Sequence, residues 1–210
     1  PIVLGTDSGS SRVESGSESI VDGNGGVVHV CPGDDVVREY RSQMRRQQRH
    51  RRDLDAKRDL PAETLDGLSI TLLANIDLPK EIELAVDNGA RGVGMYRTEF
   101  LYLNYRLPSE KEQFQAYAKI VEAMAPAPVT IRTIDLGGDK LSHVLDVKTE
   151  DNPFLGWRGL RICLDEPDLF KTQLRALLRA SNLGKLRILL PMISDTQEIV
   201  RARALMDEVK

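Results

Sequence analysis

The sequence predicts an α/β protein with a parallel sheet, on the basis of three observations. Strand-like and helix-like segments alternate through residues 67–210, which is the pattern of successive βα units. The strand-like segments are short apolar runs bounded by turn residues, as expected for strands buried in a parallel sheet. Charged residues lie at the ends of several of these runs. The periodicity leaves open a small open sheet and the first half of an eight-stranded barrel.

The βα part of the chain contains four predicted strands, each followed by a helical pattern. The strands cover residues 69–76, 92–96, 129–134 and 186–192. The helices cover residues 78–88, 108–124 and 169–181, and a further helix begins at Thr196. Catalytic groups of (β/α) barrels lie at the carboxyl ends of different strands, so the residues that follow these runs are the candidates for a site.

The first 60 residues have a different character. Residues 1–32 contain β-type segments at 1–5, 18–22 and 26–30, with a hairpin connection over residues 23–26. So short a segment buries too little surface to fold alone, so we interpret it as the tail of a β-containing domain whose body lies upstream. Residues 34–60 are helical in pattern and rich in arginine, which favours a solvated connecting helix over a nucleic-acid-binding one because acidic residues flank the arginines and aromatic residues are few.

Composition excludes several classes of protein. The 210 residues are 41% hydrophobic and 29% charged, with a net charge of -3, which argues against a dedicated nucleic-acid-binding protein. No apolar run approaches the roughly 18 residues of a membrane helix, and no signal peptide opens the sequence, so a cytoplasmic protein is expected. Of the two cysteines, Cys163 lies in an apolar segment and is predicted to be a small core residue.

Residues 131–140, I-R-T-I-D-L-G-G-D-K, form the most informative segment. A buried strand carries Arg132, reaches Asp135 and ends in a glycine turn where backbone N–H groups can approach an anion. An arginine inside an apolar strand is costly to bury unless it meets an anion. The anion is either a ligand or an internal carboxylate, with Asp135 and Glu99 as the candidate partners.

Two further arginines are placed near predicted strand ends or loops. Arg97 follows the second strand, and Arg158 lies in a loop beside Trp157, on which it could also stack. If Arg97, Arg132 and Arg158 converge on one face, they form a site for a small metabolite with two or three negative charges.

Five segments resemble one family, phosphoenolpyruvate-protein phosphotransferase, which is enzyme I of the bacterial sugar phosphotransferase system. They are G-V-G-M-Y-R-T-E-F-L at residues 92–101, I-R-T-I-D-L-G-G-D-K at 131–140, N-P-F-L-G-W-R at 152–158, Q-L-R-A-L-L-R-A-S at 173–181 and L-R-I-L-L-P-M-I at 186–193. They occur in the family's order.

The resemblance implies the fold and the domain organisation. It implies an α/β chain made of the first half of a (β/α)8 TIM-type barrel, preceded by the β tail of a swivelling phosphohistidine domain and a linker helix. Residues 1–33 would be the last strands of the incomplete phosphohistidine domain, residues 34–66 the linker helix, and residues 67–210 the N-terminal half of the phosphoenolpyruvate (PEP)-binding barrel.

The resemblance also implies an activity. The family's barrel binds PEP and, with Mg²⁺, passes the phosphoryl group to a histidine on the mobile domain and then to the carrier protein HPr, for sugar uptake. Carried over by motif, Arg97, Arg132 and Arg158 would bind PEP, and the full-length enzyme would be a homodimer. A nitrogen-branch or fructose-type paralogue, and a PEP-binding regulatory module without catalysis, remain alternatives.

Several functional parts of the family are expected outside this sequence. The phosphorylated histidine and the HPr-binding helices would precede residue 1, whereas the metal-binding Glu and Asp, a further arginine and the catalytic cysteine would follow Lys210. We therefore expect no catalytic residue and no metal ligand within the chain, and no phosphoryl transfer by the chain alone. His143 follows a glycine pair, but its spacing does not match that of a phosphorylated histidine.

Overall fold

The structure is a computed structural model, and it describes residues 2–6, 13–102, 106–137, 152 and 155–210. The chain divides into two compact units, Pro1–Leu60 and Pro61–Lys210. Within the described residues, no helix combines the length and the apolar character that crossing a bilayer requires.

The first unit contains a β-hairpin and a long helix. Strands β1 (Ser19–Asp22) and β2 (Val27–Val30) pair antiparallel. The side chain of Asp22 closes the hairpin, because its Oδ1 accepts hydrogen bonds from the backbone N–H groups of Asn24 and Gly25, both at 3.0 Å. The hairpin predicted around residues 23–26 is confirmed. The β segment predicted at residues 1–5 is wrong over its described part, since residues 2–5 pair with no described strand.

Helix α1 (Asp34–Asp55) has no buried residue, in agreement with a polar, arginine-rich sequence. Two aspartates in its first turn, Asp34 and Asp35, stabilise the helix because their negative charges lie near the positive end of the helix dipole. Tyr40 attaches the helix to the hairpin: its hydroxyl donates to Oδ2 of Asp22 at 3.0 Å and lies 3.2 Å from Nε2 of His29. The predicted solvated helix is therefore present over most of residues 34–60.

The second unit is built on a parallel sheet with the strand order β3-β4-β5-β6, so the predicted α/β class with a parallel sheet is confirmed. The strands are β3 (Ala74–Ile76), β4 (Val93–Tyr96), β5 (Val129–Arg132) and β6 (Leu186–Leu189). The described helices are α2 (Glu81–Asp87), α3 (Glu110–Met124), α4 (Leu160–Asp165), α5 (Pro167–Ser181) and α6 (Thr196–Glu208), and a 3-10 helix covers Glu99–Tyr102.

The core of the second unit lies between the sheet and helices α3 and α5. Val129 and Ile131 of β5 are fully buried there, against residues such as Tyr117 and Leu177. Side chains alternate along a strand, so Arg132 points to the opposite face of β5 from Ile131. Cys163 is fully buried in a second core cluster, which confirms its prediction as a core residue.

Two further features, both in the second unit, differ from the sequence-based expectation. The strand predicted over residues 69–76 pairs with the sheet only at Ala74–Ile76. Its first half turns back on the preceding segment instead, since the N–H of Ile70 bonds to the carbonyl of Ala62 at 2.7 Å and Ser69 bridges to Glu63. Helix α4 (Leu160–Asp165) was not predicted, because its six residues are too few to show a helical period.

Candidate functional site

The three candidate arginines lie at or beyond the carboxyl ends of neighbouring parallel strands. Arg132 is the last residue of β5, and Arg97 directly follows β4. Tyr96 and Ile131 are register partners, so the two arginines follow paired residues. Arg158 reaches the same edge by a different route, because its backbone bridges to that of Gly137, beyond the end of β5.

Arg132 forms two ion pairs with different nitrogens. Its Nη2 lies 2.6 Å from Oε1 of Glu99, and its Nη1 lies 2.9 Å from Oδ2 of Asp135. The Arg132 side chain is 18% exposed, so both bonds are formed largely out of water. Arg132 therefore pairs with both of the carboxylates, Glu99 and Asp135, that the sequence indicated as candidate internal partners. A guanidinium has five N–H donors, so these two pairs do not exhaust its capacity.

Asp135 joins Arg132 to Arg158. The Oδ1 atom of Asp135 lies 3.1 Å from Nε of Arg158, while Oδ2 accepts from Arg132. Arg158 also donates from Nη2 to the backbone carbonyl of Asp135 at 3.2 Å. With a side chain only 9% exposed, Asp135 is the most enclosed member of this group. One carboxylate therefore fixes two guanidinium groups, and such charge-assisted bonds are stronger than neutral ones.

Gly159, directly after Arg158, makes room for this arrangement. Its φ of 58° lies in the left-handed region, and an added Cβ would lie 3.1 Å from Oδ1 of Asp135 and 3.0 Å from Cγ of Met192. Sequence reasoning did not single out this glycine. Its position immediately after the arginine of N-P-F-L-G-W-R, followed by an apolar run, was the available signal.

Arg97 faces a different partner. Its Nη1 lies 2.5 Å from Oδ1 of Asp77, which follows β3, and the two side chains are 41% and 55% exposed. Arg97 and Asp77 line a cleft of about 330 Å³ along β3 and α2. The structure thus brings Arg132 and Arg158 together through Asp135. Arg97 directly follows the neighbouring strand at the same level of the sheet, but its side chain pairs with Asp77, at the end of β3.

Two buried tyrosines, Tyr96 and Tyr102, lie on either side of Glu99 in the sequence. Burial is the main cause that raises the pKa of Tyr96 and that of Tyr102 well above the usual range, and the charge of Glu99 is a smaller cause for Tyr102. Both phenols therefore stay neutral around the ion pairs, so the described charges of the site are those of the arginines and carboxylates.

The described residues were compared with what the Mg²⁺ implied by the resemblance would require. Among them, no group of three or more His, Cys, Asp or Glu residues is close enough to hold a metal ion. Both oxygens of the Asp135 carboxylate are committed to arginines, which leaves this carboxylate poorly suited as a ligand. The rest of the glycine turn, Gly138 to Lys140, and His143 lie outside the described residues.

Comparison with known proteins identifies relatives of this chain. The family model described as PEP-utilising enzyme, PEP-binding domain, matches residues 51–210. The phosphoenolpyruvate-protein phosphotransferase of Staphylococcus carnosus (strain TM300) is 46% identical over 209 residues, which cover 99% of this chain and 36% of the relative. The protein of the same name from Latilactobacillus sakei is 42% identical over 211 residues, covering 100% of this chain and 37% of the relative.

This chain spans little more than a third of the length of these curated relatives. The similarity nevertheless extends over the whole chain, including the hairpin and helix α1 of the first unit. The family model covers three-quarters of the chain and includes the segments that carry Arg97, Arg132 and Arg158. The chain therefore belongs to the PEP-utilising enzyme family and carries the region that matches the family's PEP-binding domain.

Proposed function

We propose that this chain is part of a PEP-protein phosphotransferase and that Arg97, Arg132 and Arg158 bind PEP. In this proposal residues 67–210 are the N-terminal half of a (β/α)8 barrel, residues 34–66 are a linker helix, and residues 1–33 are the last strands of a phosphohistidine domain. The observation that carries the proposal is the pair of enclosed arginines held by Asp135 at the carboxyl end of β5.

The carboxylates orient the arginines for an anion. Glu99 and Asp135 each engage one terminal nitrogen of Arg132, so the plane of its guanidinium is fixed before a ligand arrives. Preorganised donors of this kind do not have to be reordered when charge moves during a reaction. PEP carries a phosphate and a carboxylate, and planar guanidinium groups bind both through paired hydrogen bonds.

The arginines would then neutralise and orient the phosphoryl group during transfer. Phosphoryl transfer needs positioning and charge stabilisation more than covalent help from the protein, which suits a site made of arginines. The acceptor would be a histidine on the mobile domain, and HPr would receive the phosphoryl group next, in support of sugar uptake. Mg²⁺ would be held by residues other than those described, and the full-length enzyme would be a homodimer.

Calorimetric titration of PEP into the 210-residue chain tests the binding part of this proposal. We expect saturable binding to the wild type and a loss of at least about tenfold in affinity for Arg132→Ala. Arg175→Ala is the matched control, because Arg175 is also ion-paired, with Glu110 at 2.9 Å, but lies on helix α5 outside the strand-end cluster. An equal loss in both variants would contradict a PEP site at Arg132.

The transfer part is tested by incubating the chain with PEP and HPr. We expect no phosphorylated HPr, because the phosphohistidine and the metal ligands are assigned to other parts of the enzyme. Turnover by the isolated chain would contradict that assignment.

A structural role for the cluster is the second candidate. The three arginines Arg97, Arg132 and Arg158 are each paired with at least one described carboxylate, which is what an internal ion-pair network requires. In that case PEP would not bind the wild-type chain, while Arg132→Ala would still lower its stability. PEP binding without any transfer in the longer protein would instead indicate a regulatory module.

A further inference from the structure

A hydrogen-bonded network of buried polar side chains extends from helix α3 to the end of β5. Gln113 and Tyr117 of α3 and Gln173 of α5 have exposed fractions of 2%, 0% and 0%, and Thr98 beside Arg97 is also fully buried. Burying a polar group costs free energy unless the group is hydrogen-bonded, and these side chains are hydrogen-bonded to one another.

Each hydrogen bond of this network has a defined donor and acceptor. The N–H of Ile134 donates to Oε1 of Gln173 at 3.1 Å, so the amide nitrogen of Gln173 must face the other way, where it donates to the Tyr117 hydroxyl at 3.0 Å. Tyr117 donates in turn to Oε1 of Gln113 at 3.1 Å, and Gln113 donates to the carbonyl of Pro108 at 3.1 Å. Among the side chains of α3 and α5 in this network, Gln173 is thus the one that bonds to the segment directly after β5.

Side chains replace the missing strand partner at this place. Pairing between β4 and β5 stops at Tyr96 and Ile131, because β4 then turns into the 3-10 helix. Beyond that point the carbonyl of Arg132 accepts from Oγ1 of Thr98 at 3.1 Å, and the N–H of Ile134 donates to Gln173. The other edge of the strand remains bonded to β6, since Thr133 N–H donates to the Leu189 carbonyl at 3.0 Å.

We infer that Gln173 is a positioning residue for the anion site, and this inference rests on the proposed function of Arg132. Its side chain holds the backbone between Arg132 and Asp135, the two residues whose side chains meet at 2.9 Å. Thr98, which lies between β4 and the 3-10 helix, supports the same segment and directly precedes Glu99, the second partner of Arg132. Gln173 therefore acts on the ligand through the placement of Arg132 and Asp135.

The test compares the same substitution at the two ends of the network. Gln173→Leu removes the bond to Ile134, whereas Gln113→Leu removes a buried amide whose described hydrogen bonds go to Pro108 and Tyr117 and not to the β5 segment. We expect both variants to lose thermal stability, but only Gln173→Leu to weaken PEP binding by about tenfold or more, with Gln113→Leu staying within about twofold of the wild type.

Hydrogen exchange of the Ile134 amide supplies a readout that does not depend on PEP. In Gln173→Leu this amide should exchange faster, and in Gln113→Leu it should keep its protection, because only the first variant removes its acceptor. If the wild type does not bind PEP, the proposed function fails, and exchange still decides whether Gln173 holds the strand end. Unchanged exchange in Gln173→Leu, or equal losses of PEP affinity in both variants, would overturn the inference.

Thr98→Val keeps the experiment decisive if Gln173→Leu does not fold. This substitution removes the hydroxyl that donates to the Arg132 carbonyl at 3.1 Å and accepts from Nε2 of Gln173 at 3.4 Å. The inference predicts weaker PEP binding for Thr98→Val than for Gln113→Leu, and the opposite order would overturn it.

Discussion

Arg132 and Arg158 are held by opposite oxygens of one carboxylate: Oδ2 of Asp135 lies 2.9 Å from Arg132 Nη1, and Oδ1 lies 3.1 Å from Arg158 Nε. The two arginines are 26 positions apart in the sequence and come from different segments. Asp135 therefore holds two positive groups next to each other beyond the end of β5.

Removing the charge of Asp135 should destabilise the second unit. In Asp135→Asn two enclosed guanidinium groups lose their shared anion, and breaking a largely buried pair costs about 3 kcal/mol of unfolding free energy. Asp77→Asn breaks the exposed pair with Arg97 and should cost less than about 1 kcal/mol. Urea denaturation followed by the fluorescence of Trp157, the one tryptophan in the sequence, measures both. Equal losses would show that Asp135 is no more important than a surface partner.

Gly159→Ala should disturb the site more than an equally strained glycine elsewhere. The new Cβ would press on Oδ1 of Asp135 and on Met192, in addition to the cost of a side chain at a φ of 58°. Gly67→Ala is the control, since its φ is 84° but its Cβ would meet no atom within 4 Å. We expect both variants to lose stability and only Gly159→Ala to lose PEP affinity in calorimetry, by about tenfold. Unchanged PEP affinity in Gly159→Ala would contradict the close approach that we describe.

The contact between α3 and α5 should depend on pH through Glu110. Its pKa is lowered from the usual 4.5, first by a hydrogen bond from Arg179 and then by one from Arg175. A carboxylate with a lowered pKa stabilises the fold above its unfolded pKa, and this contribution is lost as the pH falls through the folded value.

The melting temperature of Glu110→Gln should therefore be lower than that of the wild type at neutral pH, by an amount equivalent to about 1 kcal/mol or less because the group is partly exposed. The two melting curves should converge when the pH falls well below 4.5. A difference that persists under acidic conditions would show that Glu110 acts by packing and not by its charge.

The two cysteines should react at very different rates. Cys31 is exposed, whereas Cys163 is fully buried and burial raises the pKa of its thiol, which lowers the concentration of the reactive thiolate. A colorimetric thiol reagent at mildly alkaline pH should modify one cysteine per chain in the native protein and both in denaturant. Rapid modification of both in the native state would contradict the burial of Cys163.

The sequence was sufficient for the parallel sheet and for the candidate partners of Arg132. The alternation of apolar runs and helical patterns follows from local periodicity, which survives without knowledge of tertiary contacts. Glu99 and Asp135 could be named as partners because each is a carboxylate next to a predicted strand end, and strand ends of a parallel sheet meet at one edge.

The remaining features depend on contacts between distant segments. Asp135 can pair with both Arg132 and Arg158 only because the residues directly before α4 lie against the segment after β5. Nothing in the local sequence predicts that contact. In the sequence, Gln173 looks like an ordinary polar residue of an amphipathic helix. Its burial results from the packing of α5 against the sheet, which the sequence pattern does not show. Strand β3 is short for the same reason, since the fold-back of residues 62–70 removes its first half from the sheet.

The most direct test of the proposed PEP site is a titration followed by nuclear magnetic resonance of the arginine side chains. With ¹⁵N-labelled chain, the Nε–H signals of Arg132 and Arg158 should shift on addition of PEP, with the same dissociation constant as in calorimetry. The Nε–H signal of Arg175, paired with Glu110 on the helices, should stay in place. Saturable PEP binding that leaves the signals of Arg132 and Arg158 unmoved would contradict a site at the end of β5.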